Sequence, residues 1–216
     1  MRKNKKVLTA VILGASLLLA GCNGLGGANS AAYIANEDEI AEAMEEMSDE
    51  LGNLEMSMDG KIYTLPFTAG ELMEEGWEFP EDILEKIDPF TALTEWNKCE
   101  MVKTDGEVEK DITGITMVNP KEEDVDPADA FLTSFSLDRY DQVKLILPKG
   151  ITWASSIEEV KDAYGEPYKE TETGSEETYI STVLRYYFDD NSHVFIGFET
   201  EDGKTKMTNL SMSYSY

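Results

Sequence analysis

The chain has little of what catalytic and metal centres are usually built from. Its 216 residues include one histidine, His193, and two cysteines, Cys22 and Cys99. One imidazole and so few thiols argue against a zinc site, and no serine lies in a Gly-x-Ser-x-Gly motif. The sequence also has no glycine-rich phosphate loop. We therefore expect no catalytic residue, no metal ligand and no cofactor. The many Asp and Glu residues do not by themselves exclude glycosidase chemistry, which uses a pair of carboxylates. However, small two-layer units would not form the deep cleft that such an enzyme needs.

Basic residues are scarce as well. The chain has 18 Lys and Arg against 44 Asp and Glu. Residues 1–21 contain four of the bases and no acid, so residues 22–216 have 14 bases and 44 acids, a formal net charge of −30. Phosphates and anionic head groups are repelled by such a surface, which excludes nucleic acid as a partner. The acidity favours solubility and leaves weak cation binding open.

The N-terminal apolar run is too short to cross a membrane. Val7–Ala20 has 14 residues, whereas a spanning helix needs about 20. Four basic residues precede the run, which is the pattern of an export signal. The run ends in Leu19-Ala20-Gly21-Cys22, which resembles the lipobox of bacterial lipoproteins.

The lipobox resemblance implies lipid attachment at Cys22. In that family the cysteine thiol is acylated with a diacylglycerol, and cleavage of the signal peptide, 1–21, makes the cysteine the first residue. Two or more acyl chains hold a protein stably on a bilayer. We therefore expect an exported chain that is lipid-anchored to the bacterial cell membrane, with its ectodomain outside the cytoplasm. A plain secretory signal is the alternative.

Acylation of Cys22 would leave Cys99 as the only free cysteine. No intramolecular disulfide could then form, although the exported compartment would permit one. We expect Cys99 to be a small buried apolar residue. A reactive thiol is the alternative, but Lys98 and Glu100 do not make a strongly cationic surrounding.

The segment after Cys22 predicts a tether followed by an acidic helix. Residues 22–36 are rich in Gly, Ala and Asn, a composition typical of flexible linkers. In the acidic segment 37–52, apolar residues recur at helical spacing and predict an amphipathic helix over 37–51. They are Ile40, Met44, Met47 and Leu51. The acidic face is either simply solvated or a surface for a partner.

From residue 53 onward the pattern indicates mainly β-structure. Three Asp-Gly pairs mark hairpin turns of type I′, at 59–60, 105–106 and 202–203, and residues 189–193 form a fourth turn cluster. Apolar residues alternate with polar ones three times in succession near the C-terminus. This alternation predicts a meander of strands 181–188, 193–200 and 206–214, with Leu184, Tyr186 and Phe188 on the apolar face.

Two similar segments predict a duplicated α+β fold. Ser155 or Ser156 with Glu158 or Glu159, and Thr68 with Glu71, form capping boxes. The helices that follow stop at Gly165 and Gly76. The first segment continues with a short helix and turn within 80–96 and with strands near 99–104, 109–119 and 131–137. We expect two units, 53–142 and 143–216, each a helix packed on an antiparallel sheet of three to four strands.

The second capped helix carries a resemblance. The stretch "GITWASSIEEVKDAYGEP" resembles the helix start of small outer-membrane assembly lipoproteins of the SmpA/OmlA group. It is also similar to the tandem β-lactamase-inhibitory proteins, whose two α/β repeats form one curved sheet. The matching residues are Gly150, Ile151, Thr152, Ser156, Glu159, Val160, Gly165 and Pro167, and the chain departs at Trp153, where a small residue is usual. Overall the chain resembles lipoproteins of Gram-positive gut anaerobes. The resemblance implies a non-enzymatic binding or scaffold module.

Side chains on the outer face of the C-terminal meander are the best candidates for binding. If Leu184 and its alternating neighbours face the core, aromatic and arginine side chains face outward: Tyr179, Arg185, Tyr187 and Phe195. This composition is typical of binding hot spots. The alternative is that a neighbouring repeat or the acidic helix covers them.

Two further features are expected to have no specific role. His193 is predicted to lie exposed in the 189–193 turn. The loop 121–129 could hold calcium through carboxylates, but it lacks the spacing and central glycine of an EF-hand, so we interpret it as a solvated acidic loop.

Together these patterns favour a membrane-anchored surface lipoprotein. Its acidic ectodomain is expected to act as a protein-binding or envelope accessory module. A small-ligand or cation-binding lipoprotein is the alternative function, and an enzyme is the third.

Overall fold

The computed structural model describes residues 33–80, 85–94, 100–175, 179–201 and 203–215. The predicted signal peptide, Cys22 and most of the tether lie outside these described residues, as does Cys99. The fold is mixed, with mostly antiparallel sheets and few helices, so the α+β class is confirmed at that level.

The described residues form three α-helices and thirteen strands. The helices are α1 (Glu37–Glu46), α2 (Ala69–Glu74) and α3 (Ile157–Tyr164). The strands are β1 (Glu55–Met58), β2 (Lys61–Thr64), β3 (Phe67–Thr68), β4 (Ala92–Leu93), β5 (Met101–Asp105), β6 (Val108–Val118), β7 (Phe131–Asp138), β8 (Leu145–Leu147), β9 (Ile151–Thr152), β10 (Lys169–Gly174), β11 (Ile180–Tyr187), β12 (Ser192–Glu201) and β13 (Lys204–Tyr214).

The strands divide between a small and a large sheet. The small sheet has the order β2-β1-β8-β9. The large sheet has the order β10-β11-β12-β13-β7-β6-β4, with β3 also on β7 and β5 also on β6. The core lies on the inner face of the large sheet, where Leu184, Ile196, Leu210 and Phe135 are buried.

Both sheets join strands from the two predicted units. In the small sheet β1 pairs with β8, and in the large sheet β7 pairs with β13. These pairs cross the predicted boundary between residues 142 and 143. The two-unit architecture therefore stays an interpretation, because strands from either side share their hydrogen-bond ladders.

Helix α1 packs on the small sheet. Ala43 and Met47 are buried against Ile146, and Lys144 Nζ lies 2.5 Å from Glu39 Oε1. That hydrogen bond, with one from the Asn36 backbone N–H, keeps the pKa of Glu39 below its usual value. The acidic helix thus lies on the small sheet and leaves the outer face of the β11–β12 pair uncovered by it.

The predicted extent of α1 was too long. The helix ends at Glu46, and the chain turns away where the Ser48 backbone N–H donates to Glu55 Oε2 at 2.6 Å. Met47 and Leu51 are nevertheless buried, Leu51 in a short 3₁₀ helix. The apolar spacing therefore indicated burial correctly while the backbone left the α-helical path.

The local helix signals are confirmed. Ser156 with Glu159 and Thr68 with Glu71 form the capping boxes. Gly165 ends α3 with a φ of +81°, in the region that favours glycine. Trp153, where the chain departs from the resembled families, is buried and donates its indole N–H to the Val143 carbonyl at 2.8 Å.

The hairpin predictions hold in part. Asp59 and Gly60 both have positive φ between β1 and β2, as a type I′ turn requires. Asp105, however, is the last residue of β5 and pairs with Val108, so that the turn begins at Gly106. Asp202 lies outside the described residues.

Two predictions are corrected by the structure, and a third is not tested. The short helix and turn were predicted within 80–96, and residues 81–84 and 95–96 of that segment lie outside the described residues; the described part, 85–94, contains strand β4 and a bridge between Ile87 and Val125. His193 is in strand β12 and not in the turn. Phe188 lies just beyond β11 and is exposed, because the turn closed by the Asp189 carboxylate begins there.

Candidate functional site

Three of the four predicted binding residues lie together on the outer face of the large sheet. Arg185 and Tyr187 are on β11 and Phe195 is on β12, where Arg185 is directly opposite Phe195. Leu184 and Tyr186, which alternate with Arg185 and Tyr187 along β11, are buried. The alternation of β11 therefore places the candidate side chains on the face opposite the core.

Aromatic side chains form a contiguous group at this place, which we call the ring cluster: Tyr168, Tyr187, His193 and Phe195. The Tyr187 ring lies edge-on to Tyr168 at 5.2 Å and to Phe195 at 5.8 Å between centroids. His193 lies 4.6 Å from Phe195 and 5.7 Å from Tyr187. Such tilted and edge-to-face contacts stabilise one another and fix the rings in place.

Part of the ring cluster is freely accessible. Tyr168 is 80% exposed and Tyr187 is 49% exposed, whereas His193 and Phe195 are half-buried. The two inner rings therefore support the two outer rings, which present apolar surface to the solvent.

Arg185 is held beside the ring cluster by two contacts. Its guanidinium carbon lies 5.4 Å from the centroid of the Phe195 ring, a distance typical of cation–π interactions. Its Nη1 donates to Thr171 Oγ1 on β10 at 2.7 Å. The planar guanidinium is thus ordered before any partner arrives, which lowers the entropic cost of binding.

His193 is neutral in this surrounding. Burial lowers the pKa of its imidazole below the usual 6.5. At neutral pH it therefore contributes a flat, uncharged ring and hydrogen-bonding nitrogens, and Arg185 is the cationic member of the group.

Tyr179 is not part of this arrangement. It lies just before β11, at the opposite end of the strand, and is 52% exposed. Six residues separate it from Arg185, which corresponds to about 20 Å along a strand. The structure brings Arg185, Tyr187 and Phe195 together and leaves Tyr179 apart.

The buried face of β11 connects the ring cluster to helix α3. The Tyr186 hydroxyl donates to the Gly165 carbonyl at 3.2 Å, and its ring lies edge-on to Tyr164 at 6.1 Å. Burial raises the pKa of Tyr186 to about 12, so it remains a donor at physiological pH. Because Tyr168 follows the Gly165 stop by three residues, this contact also sets where Tyr168 reaches the sheet.

Polar side chains without charge continue the outer face beyond the rings. Ser211 is opposite Phe195, Ser136 is opposite Ser211, and Thr113 is opposite Ser136. One register step away, Ser213 is opposite His193 and Ser134 is opposite Ser213. We call these five residues the hydroxyl rows.

Tyr168, His193 and the hydroxyl rows were not among the binding residues predicted from the sequence. The alternation of serines in "TNLSMSYSY" gave a signal for the outer face of β13, but the partner strand β7 comes from far earlier in the chain. Tyr168 had no strand pattern of its own, since it precedes β10.

A separate polar cleft lies between α1 and the β1–β2 hairpin. Its volume is about 260 Å³, and Asp59, Lys103, Lys110, Lys144 and Glu39 are among its lining residues. Lys110 is almost fully buried, with its Nζ 2.7 Å from Asp59 Oδ2. The Asp59 carboxylate also accepts the Lys144 backbone N–H, so these charges tie the hairpin to β6 and β8.

Two further findings concern membranes and metals. Among the described helices, none is both long enough and apolar enough to cross a bilayer. The described residues also contain no group of three or more histidine, cysteine, aspartate or glutamate side chains placed to hold a metal ion. This includes the described acidic loop 121–129.

Comparison with known proteins finds no matching family model, no matching curated protein and no matching solved structure.

Proposed function

We propose that this chain is a membrane-anchored surface lipoprotein whose acidic ectodomain acts as a protein-binding or envelope accessory module. The observation that carries the binding role is the ring cluster with Arg185 on the outer sheet face. Aromatic and arginine side chains are the types that dominate binding energy at interfaces. Here they are ordered by mutual contacts and remain partly exposed.

The anchoring part of the proposal rests on the N-terminal sequence. Export followed by acylation is supported by three features of this segment: four basic residues, a 14-residue apolar run and the lipobox-like residues that end at Cys22. The net charge of −30 over residues 22–216 would repel an anionic membrane, so the acyl chains would hold the protein there without help from the body. No catalytic step belongs to the proposal.

The duplicated architecture is also kept as an interpretation. Each half of the chain contains a strand, a capped helix and then antiparallel strands, and β7 of the first half pairs with β13 of the second. A tandem α/β repeat that shares one sheet accounts for this order.

Photocrosslinking on the producing cells tests the binding role. A photoreactive amino acid is placed at position 187, inside the ring cluster, and at position 140 as a matched control, because Tyr140 is 74% exposed in a 3₁₀ helix elsewhere. We expect a discrete crosslinked product from position 187 only, and we expect Phe195→Ser to reduce it. Two outcomes would argue that the rings only stabilise the sheet. One is equal products from both positions, and the other is a Phe195→Ser variant that is less stable but still gives the crosslinked product.

Mass spectrometry of the mature N-terminus tests the anchor. We expect Cys22 to carry a diacylglycerol thioether as the first residue, and Cys22→Ala to shift the chain out of the membrane fraction. An unmodified N-terminus would contradict this part while leaving the binding role intact.

The polar cleft favours a second candidate, a small-ligand or cation-binding lipoprotein. Its lysine and carboxylate lining suits a small zwitterionic molecule. A calcium titration and a screen of amino acids, both followed by melting temperature, test this candidate. A rise of several degrees with an amino acid that Lys103→Ala abolishes, or with calcium that Asp105→Asn abolishes, would support it over the first candidate.

A further inference from the structure

The hydroxyl rows give the outer sheet face a second chemical character beside the rings. The first row, Ser211, Ser136 and Thr113, continues a line that starts at Arg185 and Phe195 and crosses β11, β12, β13, β7 and β6. The second row, Ser213 and Ser134, continues a line that starts at Tyr187 and His193. With strands about 4.8 Å apart, the longer line is about 19 Å long, and the two lines are about 7 Å apart.

The serine hydroxyls of these rows are available to a ligand. Their side chains are half-buried. Within the described part of the chain, no side-chain hydrogen bond involves Ser134, Ser136, Ser211 or Ser213. Each hydroxyl offers one donor and two acceptor positions. The hydroxyl rows, which together form a strip on the outer sheet face, thus present short, neutral side chains that can both donate and accept hydrogen bonds.

This composition argues against a protein as the main occupant of the strip. The centres of protein interfaces are enriched in aromatic side chains and arginine but depleted in serine. A protein partner would account for the ring cluster and leave the serines unexplained. A lipid surface would require exposed aliphatic side chains, which these rows lack.

The net charge of the ectodomain further restricts the chemical class of the ligand. Along the two lines the one charged side chain is Arg185, at the end of the longer line, whereas residues 22–216 together have a net charge of −30. An anionic polymer would be repelled by the whole body. A strip of uncharged hydroxyls is complementary to a ligand that is itself neutral and rich in hydroxyl groups.

We propose that the ring cluster and the hydroxyl rows together bind a neutral glycan chain. One face of a pyranose ring carries C–H groups that pack on the flat face of a tyrosine, and its edge carries hydroxyls that match those of serine. Tyr168 and Tyr187 stack on the sugar rings, and Ser211, Ser136 and Ser213 bind the following units as the chain crosses the strands. The inference rests on the envelope accessory part of the proposed function and names a neutral glycan as the partner class, in place of a protein.

Affinity electrophoresis with the full-length chain in neutral detergent tests the inference. Native gels contain mixed-linkage β-glucan, xylan, galactomannan or soluble starch, with polygalacturonate as the anionic counterpart. We expect retardation in at least one neutral gel and none in polygalacturonate. Normal mobility in all four neutral gels overturns the inference, as does retardation by polygalacturonate alone.

Matched variants locate the site. We expect Tyr187→Ala and Ser211→Val each to weaken the retardation by about tenfold. Tyr140→Ala, an exposed tyrosine elsewhere, and Ser181→Val, on the same sheet face but outside the rows, are expected to leave it unchanged. Retardation that Tyr187→Ala and Ser211→Val do not affect places the glycan elsewhere and overturns the proposal. Circular dichroism and melting temperature confirm that each variant is folded.

The failure of this inference is distinguishable from failure of the proposed function. Absence of glycan binding together with a crosslinked protein product at position 187 overturns the glycan and keeps the binding surface. Absence of both overturns both proposals.

Discussion

Replacing Gly150 with alanine should loosen helix α1 from the body. Gly150 has a φ of +77° and lies where α1 meets the small sheet. A Cβ at this position would lie 3.0 Å from Ile40 Cγ2 and 3.0 Å from Met44 Sδ, both on α1. These contacts are closer than ordinary packing, so the Ile40 and Met44 side chains would have to shift by a few tenths of an ångström, which weakens the contact of α1 with this loop.

Two costs add at Gly150. An L-residue in the left-handed region costs about 1–2 kcal/mol, and overpacking a well-filled contact costs about 1–3 kcal/mol more. Gly106 supplies the matched control, since its φ is +68° and a Cβ there meets nothing within 4 Å. Gly106→Ala should therefore carry the backbone cost alone. We expect Gly150→Ala to destabilise by about 2–5 kcal/mol and Gly106→Ala by about 1–2 kcal/mol.

Urea denaturation and limited proteolysis measure the two effects. The free energy of unfolding comes from linear extrapolation. A glutamate-specific protease should cleave α1 after Glu42 and Glu46 in Gly150→Ala at a concentration that leaves the wild type and Gly106→Ala intact. Equal stability losses in both variants, with α1 equally protected, would refute the close contact between Gly150 and α1.

Three further predictions concern buried polar groups. Burial raises the pKa of Asp141 to about 6; the folded state then binds the proton more tightly, and stability is lost as pH rises from about 4 to 6. Asp141→Asn should flatten that part of the urea midpoint profile and add about 1 kcal/mol at pH 7, after allowance for partial exposure. Ser57→Ala should raise the melting temperature by removing a buried hydroxyl without a hydrogen-bond partner among the described residues, a gain of about 1 kcal/mol. Lys110→Met should cost about 3 kcal/mol in a urea titration because the half-buried Asp59 carboxylate loses its cationic partner, and adding Asp59→Asn should recover part of the loss. An unchanged midpoint in any of the three would contradict its argument.

The meander was predictable because its information is local. Alternating residues in β11, β12 and β13 are decided by one buried face, and the observed bounds differ from the predicted ones by at most two residues. Capping boxes are local for the same reason, since the Ser156 side chain and the Glu159 backbone are three residues apart.

Other elements depended on tertiary contacts that local patterns do not contain. Ile87 exchanges backbone hydrogen bonds with Val125, nearly forty residues further along, and no local pattern predicted this bridge. Just beyond the end of α1, the Ser48 backbone N–H donates to Glu55 Oε2, where the apolar spacing predicted a further turn of helix. There a tertiary partner for the backbone outweighs helix propensity.

In the candidate site, the residues that face outward follow from the sequence of each strand, but their arrangement follows from how the strands pair. The alternation of polar and apolar residues within a single strand identifies the residues that face outward, so Arg185, Tyr187 and Phe195 could be predicted. The alignment of Phe195 with Ser211 depends on the register of a hairpin, and that of Ser211 with Ser136 depends on the register between segments 75 residues apart. A bulge at Thr208, where Gly197 pairs with Asn209 but Phe198 pairs with Met207, also shifts half of β13 relative to β12. Without that extra residue, Ser211 and Ser213 would face the core instead of the outer face of the sheet. The hydroxyl rows, on which glycan binding depends, would then not form.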